Sequence, residues 1–230
     1  MTLSPLRLVI FDVDGTLVDS QADILAAMGH AFSLAGHPLP PRETVLSIVG
    51  LSLDVAVARL APGIDGAVQA RMVDGYKEAY IALRAQAGAA QSSPLYPGAL
   101  AAIEALHAQP ETLLGVATGK SRRGLDKLLE AHDLGRYFVT QQVSDHHPSK
   151  PHPSMIAAAL SETGVAPGDA VMIGDTSYDM DMAQAAGIAG IGVGWGYHSP
   201  AALARTAAHR VIDDFSQLPP CLDLLWEKAS

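Results

Sequence analysis

A run of mostly apolar residues at 6–11, followed at once by Asp-Val-Asp-Gly-Thr at 12–16, constrains the fold most strongly. An apolar run with little polar alternation is typical of a strand buried on both faces of a parallel sheet. Asp12 and Asp14 follow this predicted strand, and open α/β sheets bind ligands at the carboxyl ends of their strands. Acidic side chains at such a position do not stabilise an apolar core. Their usual work there is to bind a hard cation or to perform covalent chemistry. The junction therefore predicts a functional site on a parallel sheet.

Apolar runs that end in turn or polar residues recur along the second half of the chain. They predict strands at residues 112–117, 137–143, 170–173, 189–193 and 210–212. Helical patterns lie between them, at residues 99–108, 121–131, 153–163 and 180–186. Strands that alternate with helices of this length are typical of βαβ units. The chain is therefore predicted to be an α/β protein with a Rossmann-like, doubly wound parallel sheet.

The long segment between the first two predicted strands has a helical pattern only. Ala-rich stretches with apolar residues three and four apart predict helices at residues 21–35, 53–60 and 65–87. The sequence Gln-Ser-Ser-Pro at 91–94 is interpreted as a hinge. We therefore expect an all-helical cap at residues 19–93, inserted into an α/β core of residues 1–18 and 94–230. A site between two such parts suits closure over a small substrate.

The composition limits the partners and the location. The 230 residues carry a formal net charge of −9, which argues against nucleic acid or an anionic membrane as a broad partner. No apolar stretch approaches the roughly 18–20 residues of a membrane span, and the first residues lack the pattern of a signal peptide. The single cysteine, Cys221, cannot form an internal disulfide and fits a reducing compartment. We expect a cytoplasmic protein that acts on a small phosphorylated molecule, as a monomer or a dimer.

Three later segments also place polar side chains at the ends of predicted strands or the starts of predicted helices. They read Ala-Thr-Gly-Lys-Ser at 117–121, His-Pro-Ser-Lys-Pro-His-Pro at 147–153 and Gly-Asp-Thr-Ser-Tyr-Asp at 174–179. A doubly wound sheet brings its strand ends to one edge. We therefore expect Thr118, Lys150, Asp175 and Asp179 beside the first acidic pair.

This set of groups suits phosphoryl transfer. A carboxylate can attack phosphorus and form an aspartyl phosphate, which splits one difficult step into two. Mg²⁺ binds oxygen ligands, few of them from protein, and leaves room for water and phosphate oxygens. A hydroxyl and a lysine can hold the remaining phosphoryl oxygens. A second acid can protonate the leaving oxygen and then activate water.

The four segments, in this order, resemble the four motifs of the haloacid dehalogenase superfamily, and the resemblance covers essentially the whole chain. The helical insert is similar to the cap of its phosphoglycolate phosphatases, as are residues 150–153 and 192–197. The resemblance implies a Mg²⁺-dependent phosphatase of small phosphorylated metabolites that works through an aspartyl phosphate.

The resemblance also implies a role for each motif residue. Asp12 would be the nucleophile and Asp14 the general acid and base. The phosphoryl group would be held by Thr118, Gly119 and Lys150. The Mg²⁺ ligands would be Asp12, the backbone carbonyl of Asp14 and Asp175, with Asp179 either touching the ion or one contact away.

Three positions distinguish the activities of the superfamily. Its dehalogenases lack the second acid, so Asp14 indicates a phosphatase. Its mutases have a histidine where this chain has Ile24, and its phosphonate-cleaving members use a cap lysine, whereas the one cap lysine here, Lys77, is expected to be exposed. Phosphoglycolate is the leading substrate by resemblance. A pyrophosphatase or a sugar or nucleotide phosphatase stays as an alternative, and a receiver-like phosphoacceptor switch is a competing class of protein.

Some of these residues have simpler interpretations. Residues 12–17 do not form a calcium loop, because the glycine of that loop belongs at its sixth position, which is Leu17 here. Residues 115–121 have three residues between their glycines where a P-loop has four. Thr118 and Asp179 are also compatible with local helix capping.

Other residues are predicted around the site without a firm role. The glycines of residues 192–196 fit a loop near the site, and the histidines of residues 146–152 fit a solvated loop better than a metal cluster. The cations of residues 120–123 add positive potential near the phosphate or lie on an exposed helix face. A substrate carboxylate needs a cation from the cap or its rim, for which the candidates are Arg42, Arg59 and Arg84.

Overall fold

The computed structural model describes residues 5–227, which contain one six-stranded sheet with parallel pairing throughout. Its strands are β1 (Arg7–Phe11), β2 (Thr112–Thr118), β3 (Phe138–Val143), β4 (Ala170–Gly174), β5 (Ala189–Val193) and β6 (Arg210–Ile212). Their order in the sheet is β3-β2-β1-β4-β5-β6. The strand order therefore reverses direction beside β1, as in doubly wound folds, and the predicted α/β class is confirmed.

The first strand explains why the sequence pattern was informative. Leu8, Val9, Ile10 and Phe11 are all fully buried. Val9 and Phe11 pack into the hydrophobic cluster on one side of the sheet, and Leu8 and Ile10 pack into the cluster on the other side. A strand with two apolar faces shows no alternation of apolar and polar residues in its sequence. Each of the six predicted strands is present, and its ends differ from the predicted ones by at most one residue.

Helices cover both faces of the sheet. They are α1 (Gln21–Leu34), α2 (Arg42–Leu46), α3 (Leu53–Leu60), α4 (Gly66–Ala87), α5 (Ala89–Ser92), α6 (Ala99–His107), α7 (Arg122–Ala131), α8 (Ser154–Thr163), α9 (Ser177–Ala185), α10 (Pro200–Leu203) and α11 (Leu218–Glu227). Helices α6, α7 and α11 bury apolar residues on one face of the sheet, and α8 and α9 do so on the other. Among residues 5–227, no helix combines the length and the apolar character that crossing a membrane requires.

The insert between β1 and β2 is helical, as predicted. Helices α1 to α4 enclose a hydrophobic cluster of their own, which includes Met28, Val57 and Met72. Two tyrosines of the sheet domain, Tyr178 and Tyr197, pack against this cluster. The insert therefore has its own core and touches the rest of the chain through specific side chains.

The structure differs from the predicted elements where capping or proline chemistry decides. No helix was predicted at α11, whose sequence contains Pro219 and Pro220. Both lie in its first turn, where proline is tolerated since the N–H groups there have no helical partner. Helix α9 begins at Ser177 rather than at residue 180, because Thr176 and Asp179 form a capping box. The predicted hinge at 91–94 is wrong in its first half, because those two residues end α5.

Replacing Phe11 by alanine should lower the free energy of unfolding by about 3–5 kcal/mol, because it removes a fully buried ring from the centre of the sheet. The ring also packs against Phe138 with 6.4 Å between centroids. Leu6→Ala, at the same end of the chain, is the control, because Leu6 is 48% exposed and its loss should change stability by about 0.5 kcal/mol or less. Urea unfolding followed by circular dichroism measures both values. Equal losses for the two variants would contradict the assignment of β1 to the core.

Candidate active site

The predicted site residues meet at the carboxyl edge of the sheet. Asp12 directly follows β1, and its backbone N–H donates to the Ile173 carbonyl of β4 at 2.9 Å. Thr118 ends β2, Asp175 follows β4, and Lys150 lies between β3 and α8. All four predicted side chains are buried. The sheet therefore gathers groups that are more than a hundred positions apart in the chain.

The ammonium group of Lys150 bridges two of the predicted acids. Its Nζ donates to Oδ1 of Asp12 at 2.8 Å and to Oδ1 of Asp179 at 2.7 Å, and the lysine side chain is fully buried. Burial disfavours the charged form of Lys150, but the two carboxylates outweigh burial and raise its pKa above the ordinary value. Lys150 therefore supplies a positive charge at any physiological pH.

Three carboxylates form a cluster around this lysine. Asp12, Asp175 and Asp179 each offer an oxygen, and these oxygens lie within 4.8 Å of one another. Burial, opposed by Lys150, raises the pKa of Asp12 to about 7, and burial together with the neighbouring acids raises the pKa of Asp175 well above its ordinary value. Oδ2 of Asp12 is buried without a hydrogen-bond partner among the described residues. An excess of hard oxygen ligands with one free oxygen fits a divalent cation such as Mg²⁺.

Asp175 is held by a turn on one side and a loop on the other. Thr16 Oγ1 donates to its Oδ1 at 3.0 Å, and the backbone N–H of Tyr197 donates to its Oδ2 at 2.8 Å. Gly15 has a φ of +86°, and a Cβ on it would lie 2.2 Å from Oδ2 of Asp175. A Cβ on Gly196 would lie 2.2 Å from the Cβ of Asp175. Both glycines are therefore required by the close approach of this carboxylate, and the glycine loop does lie at the site.

Asp179 combines local capping with a contact to Lys150. Its Oδ2 accepts from the backbone N–H of Thr176 at 3.0 Å and from Thr176 Oγ1 at 2.7 Å, while its Oδ1 accepts from the lysine. Thr118 also has a local bond, because its Oγ1 accepts from the backbone N–H of Lys120 at 3.2 Å. The capping interpretation is therefore compatible with a place in the site for both residues.

The carboxylate of Asp14 lies in a second network, which sequence reasoning largely missed. Its Oδ1 accepts from Nζ of Lys120 at 2.7 Å and from the hydroxyl of Ser20. The Ser20 hydroxyl is 3.1 Å from the hydroxyl of Tyr197, and Lys120 is 3.3 Å from the hydroxyl of Tyr80. Tyr80 stacks on Tyr76 one turn earlier in α4, so two tyrosines four residues apart were the available signal. The network joins the insert to the strand ends at the second acid.

The insert covers the strand ends with a segment of its backbone. A Cβ on Gly119 would lie 2.6 Å from the carbonyl oxygen of Leu51, so only a glycine permits this approach. The backbone N–H of Ser52 donates to Ser149 Oγ at 2.9 Å, beside Lys150. The backbone of the insert therefore contacts the chain directly beside Thr118 and Lys150.

Several other candidates lie outside this cluster. Both ring nitrogens of His147 have partners, Ser154 and Gln142, and the group of possible metal ligands found among residues 5–227 contains no histidine. Lys77 is exposed, as expected. Arg122 contacts the side chain and the carbonyl of Gln141, so its guanidinium serves the surface of the sheet domain.

The comparisons with known proteins agree with the fold and the site. A family model described as haloacid dehalogenase-like hydrolase matches residues 9–193, so the chain belongs to this superfamily of hydrolases. The chain is 34% identical over 214 residues to a protein named probable phosphatase IndB from Dickeya dadantii, covering 92% of this chain and 91% of the relative. It is 32% identical over 220 residues to a phosphoglycolate phosphatase from Pseudomonas fluorescens, covering 94% and 80%.

A solved structure extends this likeness to the fold. The crystal structure of a hydrolase from Pseudomonas syringae superposes with a TM-score of 0.82 at 26% identity, over 94% of this chain and 98% of that chain. The fold, the superfamily and the relatives therefore define a hydrolase of the haloacid dehalogenase class. Within that class the chain is a phosphatase, similar to phosphoglycolate phosphatases.

In buffer without divalent cations, the free energy of unfolding of Asp12→Asn should increase relative to that of the native chain as pH rises. The pKa of Asp12 in the folded state, about 7, lies above its ordinary value of 3.8. A raised folded pKa means that the folded state binds the proton more tightly, so the stability contributed by Asp12 is present at low pH and lost as pH rises through about 7. The contribution is lost between the ordinary pKa of 3.8 and the folded pKa of about 7, so denaturant unfolding near pH 5, inside this range, and near pH 8, above it, measures the change.

The control for this prediction is Asp181→Asn, which removes an exposed carboxylate from α9. Its effect on the free energy of unfolding should be nearly the same at both pH values. Adding Mg²⁺ should raise the melting temperature of the native chain more than that of Asp12→Asn, because the variant lacks one anionic oxygen ligand. A difference for Asp12→Asn that does not change with pH would contradict the raised pKa.

Proposed function

We propose that this phosphatase hydrolyses small phosphomonoesters of the phosphoglycolate type through an aspartyl phosphate on Asp12. The observation that carries the proposal is the buried Oδ2 of Asp12, which has no partner among the described residues and lies on the same carboxylate that Lys150 holds at 2.8 Å. A buried oxygen left free is costly unless a ligand uses it, and phosphorus is the electrophile that suits it here.

The proposed reaction has two steps. Oδ2 of Asp12 attacks phosphorus, the bond between phosphorus and the ester oxygen breaks, and Asp14 gives a proton to that oxygen. In the second step Asp14 takes a proton from a water molecule, and the oxygen of that water attacks the phosphorus. The bond from phosphorus to Asp12 then breaks, which releases inorganic phosphate and restores both aspartates.

The phosphoryl oxygens need positive or donating groups as charge is redistributed. We assign this work to the Lys150 ammonium, the Thr118 hydroxyl and the backbone N–H of Gly119. The assignment is supported by the burial of Thr118 at the end of β2, which flanks β1, and by the buried contact of Lys150 with Asp12. Among the protein groups, the positive charge and the donors that the phosphoryl oxygens need are thus already in place. Substrate binding would require only that their present hydrogen bonds rearrange.

The cofactor that we propose is Mg²⁺. Asp12, Asp175 and the backbone carbonyl of Asp14 would hold it, and when bound it would neutralise charge on the phosphoryl oxygens. We assign Asp179 to positioning Lys150 rather than to the ion, because its Oδ1 is already paired with the lysine ammonium, whereas the oxygens of Asp175 accept only from a hydroxyl and a backbone N–H. The carboxylate of Asp14 is left for proton transfer, which is consistent with its place outside the acidic cluster.

We propose that residues 19–93 act as the cap, with the core formed by residues 1–18 and 94–230. The separate hydrophobic cluster of the insert supports this division. The approach of Leu51 to Gly119 favours small substrates over large nucleotides, because the cap backbone touches the strand ends. No feature of a receiver-like switch explains either the cap or Asp14. A small phosphorylated metabolite is therefore the proposed partner, and the single buried Cys221 is consistent with a cytoplasmic location.

The experiment that tests the function measures phosphate release from a panel of phosphorylated metabolites, phosphoglycolate included, with purified protein and Mg²⁺. Asp12→Asn should lower kcat/KM by at least about 1,000-fold, because the variant lacks the nucleophile. Asp181→Asn should retain full activity, since its carboxylate is exposed and outside the site. Near-native turnover by Asp12→Asn would contradict the proposed intermediate.

Asp14→Asn should slow hydrolysis according to the leaving group. Phosphoglycolate has a poor leaving group that needs a proton, so kcat should fall by about 100- to 10,000-fold. An aryl phosphate such as p-nitrophenyl phosphate leaves readily as an anion, so the first step should fall much less. Single-turnover kinetics with both substrates measures the difference. An equal loss for the two substrates would contradict the assignment of Asp14 as the acid.

A further inference from the structure

Arg84, near the end of α4, has a guanidinium group with unused donors. Its Nη1 donates to the backbone carbonyl of Gly124, at the start of α7, at 3.3 Å. Its Nε and Nη2 are buried and have no hydrogen-bond partner among residues 5–227. None of the ion pairs found within that range includes Arg84. A half-buried arginine is thus held in place through one nitrogen, while its other two nitrogens are buried and without a hydrogen-bond partner among the described residues.

The free pair of nitrogens has the shape that carboxylates bind. The N–H bonds of Nε and Nη2 lie along one edge of the planar guanidinium and point in parallel, which allows two hydrogen bonds to the two oxygens of one carboxylate. Leaving such donors buried and unmade is costly, so a ligand that uses both gains more than it would at an exposed arginine. The chemistry of Arg84 therefore calls for a planar anion.

Arg84 also lies beside the network of the second acid. The guanidinium carbon is 5.5 Å from the centre of the Tyr80 ring, and Nζ of Lys120 is 5.3 Å from the same centre. Lys120 in turn is bonded to Asp14 at 2.7 Å. Arg84 is therefore connected to Asp14 through the Tyr80 ring and Lys120. Asp14 is the residue that would protonate the leaving oxygen, and the rest of the substrate lies beyond that oxygen.

We propose that the Nε/Nη2 edge of Arg84 binds the carboxylate of the substrate and thereby selects phosphomonoesters with a carboxylate beyond the ester oxygen. This inference rests on the proposed function, since it concerns the leaving-group side of the same site. Lys120 supplies a second positive charge across Tyr80. The other two candidates of the cap are exposed, since Arg42 donates to Gln21 at the surface and Arg59 donates to the hydroxyl of Tyr178 at 3.1 Å.

The test compares ligands that differ only in the carboxylate. Phosphoglycolate and ethyl phosphate are the substrate pair, and phosphonopropionate and propylphosphonate are the matching pair that cannot be hydrolysed. Arg84→Gln should raise the KM for phosphoglycolate and the Kd for phosphonopropionate by about 10- to 100-fold, which corresponds to the loss of charged hydrogen bonds. The values for ethyl phosphate and propylphosphonate should not change.

Two further variants separate the charge from the geometry and from folding. Arg71→Gln removes the same charge from an exposed position of α4 and should leave all four ligands unaffected. Arg84→Lys keeps the charge but loses the two-pronged edge, so it should remain impaired toward the carboxylate ligands. Native affinity of Arg84→Lys for phosphonopropionate would overturn the role of the guanidinium edge.

The outcomes distinguish this inference from the proposed function. Equal losses for both members of a pair in Arg84→Gln would mean that Arg84 only ties α4 to α7, and the inference would be wrong. If the native chain binds phosphonopropionate more tightly than propylphosphonate through Arg84 but hydrolyses no phosphomonoester, the carboxylate site stands and the proposed function fails. If it hydrolyses ethyl phosphate as well as phosphoglycolate and binds both phosphonates equally, the phosphatase stands and the carboxylate site fails.

Discussion

The buried contact of Lys150 with Asp12 and Asp179 is the interaction on which the rest of the site depends. A lysine and three aspartates are placed out of water at the edge of the sheet, where each charge alone would be costly. The ammonium stabilises two of the carboxylates and holds Asp12 by one oxygen, which leaves the other oxygen free. Burial raises the pKa of Asp12, and it also keeps an excess of carboxylates out of water, which a bound cation would offset. The buried Oδ2 of Asp12, which has no hydrogen-bond partner among the described residues, lowers the stability of the fold at the place where a ligand would use it.

Close backbone approaches hold this arrangement together with the hydroxyls of Thr16 and Thr176. Gly15 and Gly196 let the turn after β1 and the loop after β5 close around Asp175, and Gly119 lets the insert touch the end of β2. A methyl group at any of the three positions would overlap an atom of the site or of the cap backbone. The positions of the Asp175 carboxylate and of the insert thus depend on the same feature, the absence of a Cβ.

The cap reaches the site through a different set of groups. Tyr80 and Arg84 on α4 and Ser20 before α1 contact the Asp14 network, while Tyr178 donates to the Ser47 carbonyl at 3.1 Å on the far side. These contacts place polar groups from the insert beside Asp14, the residue to which we assign protonation of the leaving group. Recognition of the phosphoryl group and recognition of the remainder of the substrate are therefore assigned to different parts of the chain.

The sequence by itself determined the strands and the order of the acidic, hydroxyl and ammonium groups. Buried strands are visible in the sequence as apolar runs. Three of these runs are followed directly by polar groups, at Asp12, Thr118 and Asp175, and Lys150 comes later, in the connection after β3. Only the tertiary structure decided the partners of Asp14 and distinguished Arg84 from the other two candidate arginines, Arg42 and Arg59. The apolar pattern of α4 shows which of its side chains face the hydrophobic core, but not which of them meet the rest of the chain. The contacts of Tyr80 and Arg84 therefore exist only once α4 packs beside α7 and the strand ends.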